Sequence, residues 1–308
     1  MKKIRVAVIG TGKLGSIHAR IYSQLKEAKL VGVCDLDEKR AREIAQDFNT
    51  DFYSDYRKLI PKVDAVSISV PTILHYQIGR EFLNHKIHCL IEKPLTANLK
   101  EAKKLLELAR KKSCILQVGH IERFNPAIRA IAKLPGAPRF IECHRLGQFS
   151  PRVKDIGVVL DLMIHDIDIV LALVKSKIKS LDAIGVKVLT GHEDIANARI
   201  KFKNGVIANL TASRVSDEAM RKIRIFKKDA YISLDYSRQE AMVYRKNKNK
   251  IIAKSAPIKK EEPLKAELKS FIRCIREGKK PLVSGYDAYD ALRLAFQILN
   301  KIHPHVSR

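Results

Sequence analysis

Ile4-Arg5-Val6-Ala7-Val8-Ile9-Gly10-Thr11-Gly12-Lys13-Leu14-Gly15 is the stretch that decides the fold. An apolar run of strand length leads into three glycines spaced GxGxxG, and a helical pattern follows. Each glycine has a physical task in such a turn. The first permits the sharp exit from the strand, the second lets backbone approach a pyrophosphate, and the third lets the helix pack close to the strand. Phosphates would rest on the free N–H groups and positive end of the helix, where Thr11, Lys13 and Leu14 also stand. A lone glycine turn of this kind is weak evidence, but its surroundings strengthen it. A second apolar run, residues 29–34, ends in Asp35, about 20 residues beyond the loop, where a carboxylate can accept from ribose hydroxyls. An acidic group there repels a 2′-phosphate, so the expected dinucleotide is NAD.

The rest of the chain alternates strands and helices before changing character. Residues 38–48 read as a helix, 63–70 as a nearly continuous apolar strand ending at Pro71, and 73–84 as a helix. Residues 88–91 form the next strand, followed by Glu92-Lys93-Pro94, an amphipathic helix at 99–112 and a strand at 115–118. That alternation predicts an α/β Rossmann domain over residues 1–120. Beyond it, residues 140–145, 184–189, 198–202, 206–213, 221–226, 230–235 and 240–244 read as strands joined by turns such as Lys203-Asn204-Gly205. They predict an α+β domain over residues 121–308 with a large, mostly antiparallel sheet, closed by helices at 263–277 and 286–302.

Composition narrows the function classes. A length of 308 residues accommodates two domains with buried cores. The most apolar long stretch, residues 156–173, contains Asp161, His165, Asp166 and Asp168, so no membrane insertion is expected. Met1-Lys2-Lys3 runs straight into the first strand, so no secretory leader and a cytoplasmic location are expected. Five scattered cysteines without a CxxC pair suggest reduced thiols and no metal site. The net charge of +26 raises nucleic acid as a partner. The excess is spread along the chain, however, and basic clusters at 221–228 and 245–250 lack the interleaved aromatics of a base-stacking surface, so nucleic acid is not expected.

Ligands of open α/β sheets bind beyond the carboxyl ends of the strands, which selects Asp35, Pro71-Thr72, Glu92-Lys93-Pro94 and Gly119-His120. Lys93 stands out. Beside an oxidised nicotinamide its ammonium would be disfavoured by like charge and burial, and its pKa would move towards the range useful for proton transfer; a surface lysine ahead of a strand-ending proline is the plainer alternative. Along residues 158–173 a helix would set Asp161, His165 and Asp168 on one face, a polar stripe suited to a cleft. Asp161 could then orient His165 for proton exchange, although a satisfied core histidine fits the same pattern. Arg123, in the crossing segment 120–126, could grip an anion or pair with Glu122.

Taken together, the glycine loop, Asp35, Pro71-Thr72 with His75, Glu92-Lys93-Pro94, and Asp161 with His165 resemble the glucose-fructose oxidoreductase / inositol dehydrogenase family along the whole chain. The resemblance implies NAD(P)-dependent oxidation of a secondary hydroxyl on a sugar or cyclitol, with Lys93 and His165 as the acid/base pair. Pro71, Thr72, His75 and Glu92 would join the cofactor site. The second domain's sheet would make a homo-oligomer. More narrowly, residues 118–126, Phe149-Ser150-Pro151-Arg152 and residues 161–166 look like a branch acting on the 3-hydroxyl of UDP-N-acetylglucosamine, whose product goes to a partner aminotransferase ahead of lipid A acylation. His120, Arg123 and Arg152 would then face substrate. Met163 and Ile164 stand where many members carry a small residue and a proline, so the cleft wall differs. Other readings are a dehydrogenase for an inositol or a UDP-glucosaminuronate, and a non-catalytic NAD-binding sensor.

Overall fold

A computed structural model describes residues 2–150, 156–248 and 250–304. In chain order the first elements are β1 (Ile4–Ile9), α1 (Lys13–Gln24), β2 (Ala28–Cys34), α2 (Glu38–Asp47), β3 (Asp51–Tyr53), β4 (Ala65–Ile68), α3 (Thr72–Asn84), β5 (His88–Ile91), α4 (Leu99–Lys111) and β6 (Leu116–Val118). They are followed by α5 (Pro126–Ala132), β7 (Phe140–Leu146), α6 (Ile164–Val174), β8 (Ile178–Val186), β9 (Ile195–Phe202), β10 (Ile207–Ser213) and β11 (Met220–Phe226). The chain ends with β12 (Ala230–Asp235), β13 (Glu240–Asn247), β14 (Lys250–Ser255), α7 (Pro263–Glu277) and α8 (Gly285–Ile302). Two compact units result: residues 1–121 with 262–289, and residues 122–261 with 290–308.

The first unit carries a six-stranded parallel sheet in the order β3-β2-β1-β4-β5-β6. Connections leave β1 and β4 in opposite directions, so their carboxyl ends open a crevice at the switch point. All four β4 residues and the last four of β1 are buried, as strands covered on both faces require. Only a 3₁₀ turn, Tyr56–Lys62, bridges β3 and β4, where a doubly wound sheet ordinarily carries a helix. The cover comes from far along the chain. Leu264, Leu268, Phe271 and Ile272 of α7 pack into the cluster of Val6, Val8, Ile21, Tyr22 and Leu25. The division expected at residue 120 is therefore corrected: 262–289 fold with the first unit, because that apolar face needs covering. Pro263 opens α7, and Gly278 ends it at φ 64° in the left-handed region that favours glycine.

In the second unit eight strands form a sheet ordered β14-β13-β12-β11-β7-β10-β9-β8. Every neighbouring pair is antiparallel except β7 with β10. Strict alternation in β7 buries Ile141, Cys143 and Arg145 on one face. On the other, Phe140, Phe226, Tyr231 and Tyr244 stack across four strands at 5.5, 4.9 and 5.1 Å between ring centroids. The strand expected at 184–189 begins earlier and stops at Val186. Val188, Leu189 and Thr190 instead give their backbone N–H groups to the buried carboxylate of Asp194, at 2.8, 2.6 and 2.9 Å. Burial works against that carboxylate's charge, but these donors and Arg214 hold its pKa below the usual range. Among the described residues no helix is long and apolar enough to cross a membrane.

Candidate functional site

The glycine loop forms a cradle after β1. Gly10 has φ +89°, and any side chain there would strike the carbonyl of Ser69 at the end of β4. A Cβ on Gly15 would collide with the carbonyl of Gly10, so only glycine lets α1 start this close to the strand. Gly12 faces open space, with nothing within 4 Å of a Cβ built on it. It is also the N-cap of α1, and no side chain caps that helix end. Uncapped first-turn amides beside an open glycine suit a pyrophosphate, so the residues present fit a dinucleotide. Lys13 and Leu14 follow as exposed residues of the first turn.

Asp35 stands just past β2, as the sequence placed it, and it binds the loop itself. Its Oδ2 accepts from the backbone N–H of Thr11 at 2.7 Å and from the Thr11 hydroxyl at 2.9 Å, while Oδ1 accepts from the Asp37 N–H at 3.0 Å. The acidic residue thus fixes the glycine turn from the side where a ribose would lie. Pro71 caps α3 and Thr72 begins it, at the carboxyl end of the neighbouring strand.

Glu92, Lys93 and Pro94 follow β5 directly. Lys93 is half-buried, whereas Glu92 turns inward at 7 % exposure. One Glu92 oxygen lies 3.3 Å from Nε2 of the fully buried His18 on α1, and the other accepts from the Lys93 N–H at 3.3 Å. Gly119 makes room for this carboxylate, since a Cβ there would sit 2.6 Å from Glu92 Oε2. His75 is buried on α3, with Nδ1 2.9 Å from the Pro94 carbonyl and Nε2 2.9 Å from the Val70 carbonyl. Burial pushes its pKa down while the carbonyls and Glu92 push it up, and the net shift is downward. Both ring nitrogens are thus engaged with protein carbonyls, at the strand ends where the sequence placed His75. His120, at 1 % exposure just past β6, is also buried.

In the second unit, Val159–Met163 form a π-helical turn that runs into α6. The Ile164 N–H reaches back to Val159 O, one residue further than α-helical spacing. The single α-helical face expected for residues 161, 165 and 168 is therefore corrected. Asp161 and His165 are half-buried, but Asp168 is buried at 2 % exposure and pairs with Arg123 at 3.2 Å. Arg123 thus pairs with Asp168, across to α6. Glu122 belongs to a group that the sequence reading missed. Arg145, at 3 % exposure, donates to both oxygens of Asp166 at 2.9 and 3.0 Å and to Glu122 at 3.1 Å, over the Tyr236 ring at 5.1 Å. Burial opposes the guanidinium charge, but Asp166 and Glu122 outweigh it and raise the pKa. The network locks α6 to β7 at the residue next to His165. A lone arginine at an inward position of an alternating strand was its one sequence signal. Arg152 lies outside the described residues. Among those described, no cluster of three or more His, Cys, Asp or Glu could hold a metal.

Comparison with known proteins agrees with this architecture. Residues 4–120 match the oxidoreductase family with an NAD-binding Rossmann fold, and residues 133–233 match the GFO/IDH/MocA C-terminal domain. The chain is 34% identical to UDP-N-acetylglucosamine 3-dehydrogenase of Acidithiobacillus ferrooxidans, over 100% of both chains. A solved structure of that enzyme superimposes with a TM-score of 0.93, covering 99% of each chain at 35% identity. The scyllo-inositol 2-dehydrogenase (NAD(+)) of Bacillus subtilis is 29% identical over 97% of this chain and 94% of its own. Levoglucosan dehydrogenase, solved with NADH and levoglucosan, shares the fold at a TM-score of 0.89 and 19% identity, over 99% and 98% of the two chains. This chain belongs to the GFO/IDH/MocA family of oxidoreductases. Within that family it is an oxidoreductase acting on CH–OH, and its first unit is the NAD-binding Rossmann domain.

Proposed function

We propose that this chain oxidises a secondary hydroxyl of a sugar nucleotide with NAD, and that the hydroxyl is the 3-OH of UDP-N-acetylglucosamine. The observation that carries the reading is end-to-end similarity, in sequence and fold, to an enzyme named for that reaction. NAD, when bound, supplies the hydride acceptor. Gly10 to Gly15 would hold the pyrophosphate and Asp35 the ribose, while Pro71, Thr72 and Glu92 line the neighbouring strand ends. Lys93 and His165 form the acid/base pair, one of which takes the hydroxyl proton, and Asp161 orients His165. His120, Arg123 and Arg152 contribute to substrate binding, with Arg123 keeping part of its charge engaged by Asp168. The 3-keto product suits a pathway aminotransferase, as in lipid A precursor synthesis. A cytoplasmic location and a homo-oligomer built on the second unit's sheet belong to the same reading.

Thermal stability with NAD present, screened across sugar nucleotides, tests it, because a true ligand raises the melting temperature by mass action. UDP-N-acetylglucosamine should stabilise most and should yield NADH. Lys93→Met and His165→Asn should each abolish or greatly reduce that yield with NAD affinity nearly intact, and Asp161→Ala should cost less. Near-full-length similarity to inositol dehydrogenases makes a free cyclitol the second reading. Stabilisation and turnover with inositols, and none with sugar nucleotides, would establish it instead.

A further inference from the structure

The residues on either side of Lys93 are each met by a buried histidine, and the two histidines belong to different helices. On its amino side, Glu92 sends one oxygen to the Lys93 N–H and the other to within 3.3 Å of His18 Nε2 on α1. On its carboxyl side, the Pro94 carbonyl meets His75 Nδ1 on α3, and the same ring's Nε2 meets the Val70 carbonyl beyond β4. His18 and His75 have 0 % and 1 % exposure, so both rings are closed off from solvent. Buried polar rings in a parallel-sheet core are costly unless they do something specific, and here both converge on one three-residue segment.

The helices that carry them matter. α1 starts at the glycine loop and α3 starts at Pro71-Thr72, the two places where the sheet meets a dinucleotide. We propose that His18 and His75 are positioning residues that register Lys93 against the cofactor cradle, His18 through the Glu92 carboxylate and His75 through the Pro94 carbonyl. Gly119 is part of the device, because its missing side chain leaves the volume the Glu92 carboxylate occupies. The inference deepens the proposed catalytic role of Lys93 and rests on it for its kinetic arm.

The test compares His18→Leu and His75→Leu with the conservative His18→Gln and His75→Gln, and adds Gly119→Ala as an independent displacement of Glu92. In the ligand-free protein, the rate of Lys93 modification by trinitrobenzenesulfonate is read by peptide mass spectrometry across pH, with the exposed Lys100 as internal reference. The leucine variants and Gly119→Ala should change the Lys93 rate and its pH profile severalfold while Lys100 stays constant, and His18→Gln should recover most of the wild-type behaviour. In turnover, kcat should fall about 10- to 100-fold, as misplacement of a reacting group by about 1 Å does, with NAD affinity and KM nearly unchanged. Should a leucine variant fail to fold, Gly119→Ala and the glutamine pair still read the same quantity. Unaltered Lys93 labelling and unaltered kcat in folded variants would overturn the proposal. Absence of turnover in the unmodified protein with every sugar nucleotide would refute the proposed function, and the labelling would still decide the clamp.

Discussion

Replacing Arg145 by methionine removes a cation that two buried carboxylates share. Asp166 loses donors at 2.9 and 3.0 Å and Glu122 one at 3.1 Å, in a setting where Asp166 is 1 % and Glu122 9 % exposed. Breaking a buried pair by deleting one partner costs about 3–5 kcal/mol, because the remaining charge is left without compensation. For a unit of this size each kcal/mol moves the midpoint by roughly 2–4 °C, so thermal unfolding followed by circular dichroism should show a drop of about 6–20 °C. Adding Asp166→Leu and Glu122→Leu to Arg145→Met should recover most of the loss, since apolar replacement of a whole buried ionic group is often neutral. A drop below about 2 °C in the single variant, or a triple variant no better than the single, would refute the assignment of this network as charged and buried.

Three further outcomes are specific. NAD should bind more tightly than NADP, and Asp35→Asn should narrow the gap by removing the charge that repels a 2′-phosphate; equal affinities in the unmodified protein would contradict this, as titration of both cofactors would show. Acid should destabilise the fold before carboxylates titrate. Burial lowers the pKa of His75 and His88, so below the ordinary histidine value the unfolded chain takes up protons that the native one does not. Stability measured by urea unfolding should therefore fall as pH drops from about 7 towards 5, and His88→Gln should flatten part of that slope. Sedimentation should find an oligomer that the paired changes Tyr231→Lys and Phe226→Glu dissociate, since the stacked aromatic row lies on the sheet face opposite the buried one.

What the sequence made legible was what depends on local pattern. The glycine loop, Asp35 and the strand ends at Pro71 and Glu92 sit where period and spacing put them, because each is fixed by one strand and the turn that follows it. α7 was recognised as a helix over the same residues it occupies, but its apolar face carries no mark of which sheet it covers. The π turn at Val159–Met163 adds one residue to a helical repeat with no glycine or proline inside it, which shifts Asp161 relative to His165 and Asp168, both of them in α6. β14 escaped notice because all six of its residues are exposed, leaving no buried face to set an alternating pattern. His18 was visible only as a single histidine on an amphipathic helix, and His75 only through the family resemblance. Their meaning comes from Glu92 and Pro94, which are distant in sequence and adjacent only after the sheet has formed.

The route by which α7 reaches the first unit shapes how the chain leaves the ribosome. Residues 1–121 emerge early with their sheet complete but with the surface around Val6, Ile21 and Tyr22 still lacking Leu264, Leu268, Phe271 and Ile272. At synthesis rates of about 5–20 residues per second the intervening residues 122–261 take about 7–28 s to appear, during which that apolar surface faces solvent or a chaperone. A fragment ending near residue 121 would therefore be a poor expression target, and a rare-codon pause within the second unit would lengthen the nascent chain's exposure to aggregation.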